Sequence, residues 1–488
     1  MGSRIMDLQS YCRDPAVERR VREFLGGDAH HSPTAVYFAA GTTECSHCHE
    51  TLPLEELPSW EARGAELNRS HWDREALLCH LDFEYVNFDS PGRAYAEPAR
   101  AFELQAPVMA VAERYLHSFG IRPLKLMTGR GYHLVWRVFQ SSYAFDELAT
   151  LGHVGASLQH RYATSSSPTG DFVSAKLGRA YAGLGLVMEF LAHQIKSQAA
   201  PQCVVPVELG AIEVGPRIQD RELISVDITE YADPISARLM RVPFGPYWKP
   251  SQQRGALGTN VTDEALPILV IPIERQTLAE ALRLRHDYGE TAAWAAKAST
   301  VIPDASGAMD ALIAKYRASR LAHFHADFYS EEHDAHGLWP ETYDRAPLEA
   351  VPPCARWMLE HPNDLLLRPA GVQRLVRVML SLGWHPRHIA GLIRSKYERD
   401  FQWGDQWRDC DPATRADFYA RVFSGLFVCG VDDLVDFNCQ SAREEGLCFI
   451  PQCQENLVPY QQSLLDRRTY ERLARRPFNR LFLPKEHL

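Results

Sequence analysis

Leu78-Cys79-His80-Leu81-Asp82-Phe83-Glu84-Tyr85-Val86 sets apolar residues in alternation with two carboxylates over the length of a strand. Successive side chains of a β-strand point to opposite faces, so Asp82 and Glu84 project from one face. Carboxylates held that close repel each other, and a bound divalent cation is the usual remedy. About 45 positions on, Thr128-Gly129-Arg130-Gly131-Tyr132-His133 forms a glycine turn suited to cradling phosphates, and the apolar run Leu134-Val135-Trp136 follows it. Asp227 closes the apolar stretch Leu223-Ile224-Ser225-Val226. Arg238-Leu239-Met240-Arg241-Val242-Pro243 comes next, with Lys249 just beyond. Three acids, a glycine-histidine turn and a basic stretch read together as a metal-dependent nucleotidyl-transfer site.

This order of motifs resembles the archaeo-eukaryotic primase superfamily, in particular the small catalytic subunit of archaeal and eukaryotic primases. Asp82 and Glu84 match its Asp-x-Asp/Glu strand; Thr128, Gly129, Gly131 and His133 match its second motif; Asp227 matches its third. Arg238, Arg241, Pro243 and Lys249 fall on the family's downstream basic block, whose Ser and His positions hold Gly245 and Tyr247 here. Arg22-Glu23-Phe24 is similar to an element near the start of those subunits. The likeness covers roughly residues 1 to 260. It implies an α+β primase-type core, with a mixed sheet and flanking helices.

Composition sets the outer bounds. At 488 residues the chain has room for about three domains. With 45% apolar and 23% charged residues it belongs with ordinary globular proteins. No apolar run approaches the roughly 20 residues that span a membrane, and Met1 to Asp7 holds no apolar signal core. No membrane association and a cytoplasmic location are therefore expected. A net charge of −10 argues against a surface that coats nucleic acid throughout, though not against a local basic groove. Asp466 to Arg476 supplies one such local excess, which also reads as a solvated helix face.

Along the chain, residues 1–75 hold a helix around Arg19 to Leu25, the strand-like Ala35 to Phe38 and a Cys-x-x-Cys knuckle. The core spans 76–260 and includes a turn-rich loop at Thr164 to Gly170 and a helix over Ala175 to Gln198, weakened by Gly178, Gly183 and Gly185. A helical connector occupies 261–345, with Leu278 to Ala298 helical and the histidines His323, His325, His333 and His336 near its end. Residues 346–460 form a helical metal-cluster domain, with helices expected over Val372 to Leu382, Arg387 to Tyr397 and Ala413 to Phe427. A basic tail covers 461–488.

Eleven cysteines without an export signal argue against a disulfide framework. Pro352-Pro353-Cys354 opens the helical region, and Cys439, Cys448 and Cys453 close it. The arrangement resembles the iron-sulfur domain of the primase large subunit, which implies that these four cysteines hold a [4Fe–4S] cluster. Zinc is the alternative, since four thiolates suit either. Cys429 is a substitute for one of the late three, and four buried free thiols are the plain structural reading. Cys45-Ser46-His47-Cys48-His49 matches the attachment pattern of c-type haem, but the absence of an export signal favours zinc at Cys45 and Cys48. Its remaining ligands are left open among His49, His71, Cys79 and His80.

The resemblance implies a template-dependent primase or primase-polymerase. Asp82, Glu84 and Asp227 would hold Mg²⁺ or Mn²⁺ for two-metal catalysis. Thr128, Gly129, Arg130, Gly131, His133, Arg238, Arg241 and Lys249 would bind the nucleoside triphosphate. Single-stranded template is the implied macromolecular partner, with helicase or other replication or mobile-element proteins as further ones. Two rivals use the same residues: a metal-dependent phosphohydrolase or nuclease, and a non-catalytic nucleic-acid-binding replication module.

Overall fold

In the computed structural model the described residues are 6–474, apart from 29, 42–49, 211–220, 233–238, 253–267, 362–367, 398–411, 451–452 and 454. Arg238, Cys45, Cys48 and the end of the basic tail lie outside them. The fold is α+β, with a mixed sheet flanked by helices and a helical C-terminal region. Six strands make the central sheet: β1 (Ala76–Asn87), β2 (Leu124–Met127), β3 (Gly131–Phe139), β4 (Val207–Leu209), β5 (Glu222–Asp227) and β6 (Ile271–Pro272). Their order is β6-β2-β3-β1-β5-β4; β4 and β5 run parallel and the other pairs antiparallel. The twelve-residue β1 is central because β3 pairs along one edge and β5 along the other.

The period-two pattern sorts the two faces of β1. Cys79, Leu81, Phe83 and Tyr85 are buried, while Asp82 and Glu84 on the other face keep partial exposure. Helix α1 (Pro98–Ser118) covers the apolar face, where Phe102 meets Tyr132 edge-on, with ring centroids 5.0 Å apart. Where β5 ends, the Tyr231 hydroxyl accepts from His80 N–H at 2.6 Å and donates to His80 C=O at 2.8 Å. It stands in for the strand that is missing there, so the central strand keeps both hydrogen bonds.

Helices α2 (Tyr143–Leu151) and α3 (Ala175–Ala199) pack closely. Of the three glycines that weaken α3 on propensity, Gly183 is the one that α2 packs against, while Gly178 faces Tyr162 and Gly185 faces Tyr231. A Cβ on Gly183 would lie 2.0 Å from the Leu148 carbonyl oxygen, and one on Gly178 would lie 2.4 Å from the Tyr162 ring. Backbone contact repays what glycine costs in helix entropy. In the Ser-rich loop after Thr164, Thr169 donates to Asp171 at 2.5 Å, and Asp171 ties the loop to Arg74, before β1, at 3.0 Å. The expected helix over Leu278 to Ala298 is two, α4 (Leu278–Leu284) and α5 (Tyr288–Ala295), separated at Arg285.

The C-terminal helices follow their apolar spacing closely: α7 (Pro369–Ser381), α8 (Pro386–Tyr397) and α9 (Pro412–Val428), after α6 (Arg320–Ser330). A buried ion cluster ties them to the sheet's helices. Glu189 on α3 accepts from Arg421 on α9 at 2.9 Å and lies 3.1 Å from His325 on α6. Burial pushes the Glu189 carboxyl up, but His325 and Arg421 outweigh it and hold it at about 2. Removing the carboxylate would strand a buried guanidinium. Glu189→Ala should therefore cost about 3–5 kcal/mol in urea unfolding, and a loss below about 1 kcal/mol would show that the cluster does not join the two regions.

Candidate metal and nucleotide site

The register of the sheet assembles the acids. Asp82 on β1 stands opposite Asp227 on β5 and opposite His133 on β3. Directly opposed residues share a face, with Cβ atoms roughly 5 Å apart, so one cross-strand row reads Asp227, Asp82, His133. Glu84 lies one step along the same face, opposite Ser225 and Gly131. The His133 Nε2 is 3.4 Å from Asp82 Oδ1. Arg130 forms an ion pair with Glu84. Burial works against the Arg130 charge, but the adjoining Glu84 carboxylate outweighs it and keeps the guanidinium protonated.

The expected phosphate-binding turn is held tightly. Thr128 donates its hydroxyl to the Gly131 carbonyl at 3.1 Å, so the side chain braces the turn. A Cβ on Gly131 would sit 1.7 Å from the Phe83 carbonyl oxygen; strand approach alone requires glycine there. A Cβ on Gly129 would sit 2.2 Å from the Tyr247 ring. Tyr247, at the family's histidine position, is buried and hydrogen-bonded to Tyr95 at 3.1 Å. Arg241 lies over its ring at 4.8 Å and forms an ion pair with buried Glu66. Lys249 begins a short helix at Lys249–Gln252 and is partly exposed.

Behind the acid row lie His80 and His71, two of the histidines left open as partners of Cys45 and Cys48. His80 meets His133 edge-on at 4.4 Å, and His71 lies 5.4 Å from His80. Burial drives the His71 imidazole down to about 3, with His133 and Arg69 adding to it, and drives His133 down to about 4. Cys79, considered with His71 and His80 as a zinc ligand, is buried on the opposite face of β1. The connector histidines have separate surroundings: His325 meets Glu189 and Tyr316, His333 meets Arg394, and His336 packs on Trp339.

Cys354, Cys439, Cys448 and Cys453 line one cavity, together with Pro352 and Leu457. The Leu457 N–H donates to the Cys439 sulfur at 3.4 Å. Burial pushes the Cys354 thiol up to about 11, against the pull of Arg374. Cys429 does not line this cavity; its charged neighbours are Arg320, Glu189 and Glu471. Ion pairs surround the cysteine segment: Arg374 with Glu445, and Arg377 with Asp432 at 2.7 Å and Asp436 at 3.0 Å. Arg221, beside β5, pairs with Asp89 and donates to the Glu444 carbonyl at 3.0 Å, joining the cysteine segment to the sheet.

As the side chains stand, no three or more His, Cys, Asp or Glu of the described residues are arranged to hold a metal ion. The chemistry of the two donor sets is nonetheless distinct: three carboxylates on one sheet face suit a hard divalent cation, and four thiols around one cavity suit iron-sulfur or zinc. A cavity of about 440 Å³ lies elsewhere, lined by His153, Tyr181, Arg387 and Arg421. Its Arg387 pairs with Asp417 at 2.9 Å, its Arg421 with Glu189, and its Arg394 meets His333. No helix among the described residues is long and apolar enough to cross a membrane. No family model, curated protein or solved structure matches the chain.

Acid should expose the buried histidines. His71, His133 and the buried His193 of α3 are held at about 3, 4 and 4, chiefly by burial, below the roughly 6.5 of an unfolded histidine. The unfolded chain therefore binds more protons below that value. Stability is complete above about pH 6.5 and is lost as pH falls toward the folded values. Urea unfolding from pH 7 to 4.5 should show about three protons taken up per unfolding event near pH 5, or up to about 4 kcal/mol lost per pH unit. A flat profile would mean that these rings are not held neutral.

Proposed function

We propose that this protein is a template-dependent nucleotidyltransferase, a primase or primase-polymerase acting on single-stranded nucleic acid with nucleoside triphosphates. The observation that carries the reading is the single row of Asp227, Asp82 and His133, with Glu84 one step away and the glycine turn at the same end of β3. Asp82, Glu84 and Asp227 would hold Mg²⁺ or Mn²⁺, which when bound activates a 3′-hydroxyl and offsets the charge of the leaving pyrophosphate. The Thr128–Gly131 turn receives the triphosphate. His133 is neutral at pH 7 and so serves as a hydrogen-bonding group beside Asp82 rather than as a fixed cation. Arg130 sits on Glu84, where it balances a carboxylate until a cation and a polyphosphate arrive together. Arg241 is engaged by Glu66 and acts at most through Tyr247.

Asp82→Asn and Asp227→Asn should each lower incorporation of labelled nucleotide on a single-stranded template by at least about 1,000-fold, as the loss of several kcal/mol of charge stabilisation requires. Unchanged circular dichroism and template binding would accompany the loss. Near wild-type synthesis by either folded variant would remove the acid row from the chemistry. Cleavage of template without added triphosphate would support the phosphohydrolase reading instead.

The four-cysteine cavity supports a second part of the proposal, a [4Fe–4S] cluster that closes the helical region on itself. Protein purified without oxygen should be brown and carry about four irons per chain. Cys354→Ser should lose that metal and lower the melting temperature, since this ligand closes the longest loop. One zinc per chain would keep the architecture and replace the cofactor. Full metal content in the variant would break the grouping.

A further inference from the structure

We propose that Arg285 is a positioning residue that turns the Gly129 and Arg130 amide N–H groups outward as a subsite for the phosphates of a nucleoside triphosphate. The inference rests on the nucleotidyl-transfer reading and assigns a residue from the helical connector to it. Arg285 follows α4 and is completely buried. Its Nη1 donates to the Thr128 carbonyl and to the Gly129 carbonyl, each at 3.1 Å.

Those two bonds fix two peptide planes. A planar trans peptide points its C=O and the following N–H in opposite directions. With both carbonyls converging on Arg285, the N–H groups of Gly129 and Arg130 face the other side of the turn. Neither donates to a backbone carbonyl among the described residues. Two adjacent amides presented in this way attract an anion. The Tyr247 ring presses on Gly129, so the turn is braced by a second contact.

Charge points the same way. No carboxylate among the described residues pairs with Arg285, and its buried Nη2 has no hydrogen-bond partner. Its ring contact is Phe102, at 5.3 Å. Burial pulls Arg285 down to about 10, with nearby Tyr95, Tyr247 and Tyr132 opposing it, so it remains a cation at neutral pH. A buried cation without a counter-ion is costly, and two neutral carbonyls with the His286 ring nitrogen, which accepts from Nε at 3.3 Å, offset only part of that. A polyphosphate across the turn supplies the missing negative charge.

The test uses the full chain and inorganic tripolyphosphate. Arg285→Lys replaces a planar fork by one compact ammonium, which holds two carbonyls poorly. The variant should bind tripolyphosphate at least about tenfold more weakly and raise the nucleotide KM by a similar factor. Template affinity and Mn²⁺ binding, read by electron paramagnetic resonance, should stay within about twofold. In the wild-type chain, amide hydrogen exchange at Gly129 and Arg130, read residue by residue, should slow when tripolyphosphate is added. Wild-type affinity in the lysine variant, or tripolyphosphate binding without protection of those amides, overturns the assignment. If Arg285→Lys does not fold, the wild-type exchange measurement decides alone. A wild-type chain that incorporates no nucleotide and binds no tripolyphosphate sinks the nucleotidyl-transfer reading itself, and this inference with it.

Discussion

The pairing of β1 with β5 on one side and β3 on the other governs everything built on this sheet. Asp82 faces Asp227 and His133 only in the observed register. A slip of one residue would turn Asp82 and Glu84 into the helix-covered core and bring Leu81 and Phe83 onto the face that holds His80, His133 and Asp227. Burial of Leu81, Phe83, Leu134 and Val226 thus fixes the positions of charged groups that would otherwise drive one another apart. The Tyr231 hydroxyl on His80 serves the same end, holding β1 straight past the end of its partner.

Around that row, positive charge is distributed with little slack. Arg130 answers Glu84, Arg241 answers Glu66, and Arg100 answers Glu222 at 2.6 Å. Each of these arginines is already spent on an acid. Arg285 differs in pairing with no carboxylate among the described residues: its Nη1 donates to the Thr128 and Gly129 carbonyls and its Nε to His286. The helical region is likewise organised by arginine: Arg377 takes two aspartates and Arg374 takes Glu445, which locks the segment carrying the late cysteines before any metal is considered.

Much of this was legible in the sequence, because the patterns involved are local. Alternation marked the face of β1, and apolar spacing placed α7, α8 and α9 within a few residues. The cysteines at 354, 439, 448 and 453 line one cavity. What escaped depends on contacts between distant segments. Arg285 ends an alanine-rich helix 156 positions from Gly129, and nothing beside it hints at a partner. His71 and His80 stand in the sequence only as open zinc partners; their place behind His133 shows once the sheet forms. The α3 glycines read as helix breakers, yet they are contact surfaces for α2, Tyr162 and Tyr231. Gly131 drew attention as a phosphate loop residue, although the Phe83 carbonyl alone demands it.

The spacing of the acids along the chain has a bearing on biogenesis. Asp82 and Glu84 emerge from the ribosome long before Asp227, which follows only after α1, α2 and the 25-residue α3. The β2–β3 hairpin forms from adjacent segments and joins β1 across α1, whereas β5 must return over a much longer stretch of chain to reach the far edge of β1. Such non-local pairing is slow compared with helix and hairpin formation. The nascent chain therefore gathers its apolar framework first and brings in the last carboxylate when that framework can withstand the repulsion. Until then the far edge of β1 is an open strand, which makes this interval of synthesis the one most exposed to mispairing between chains.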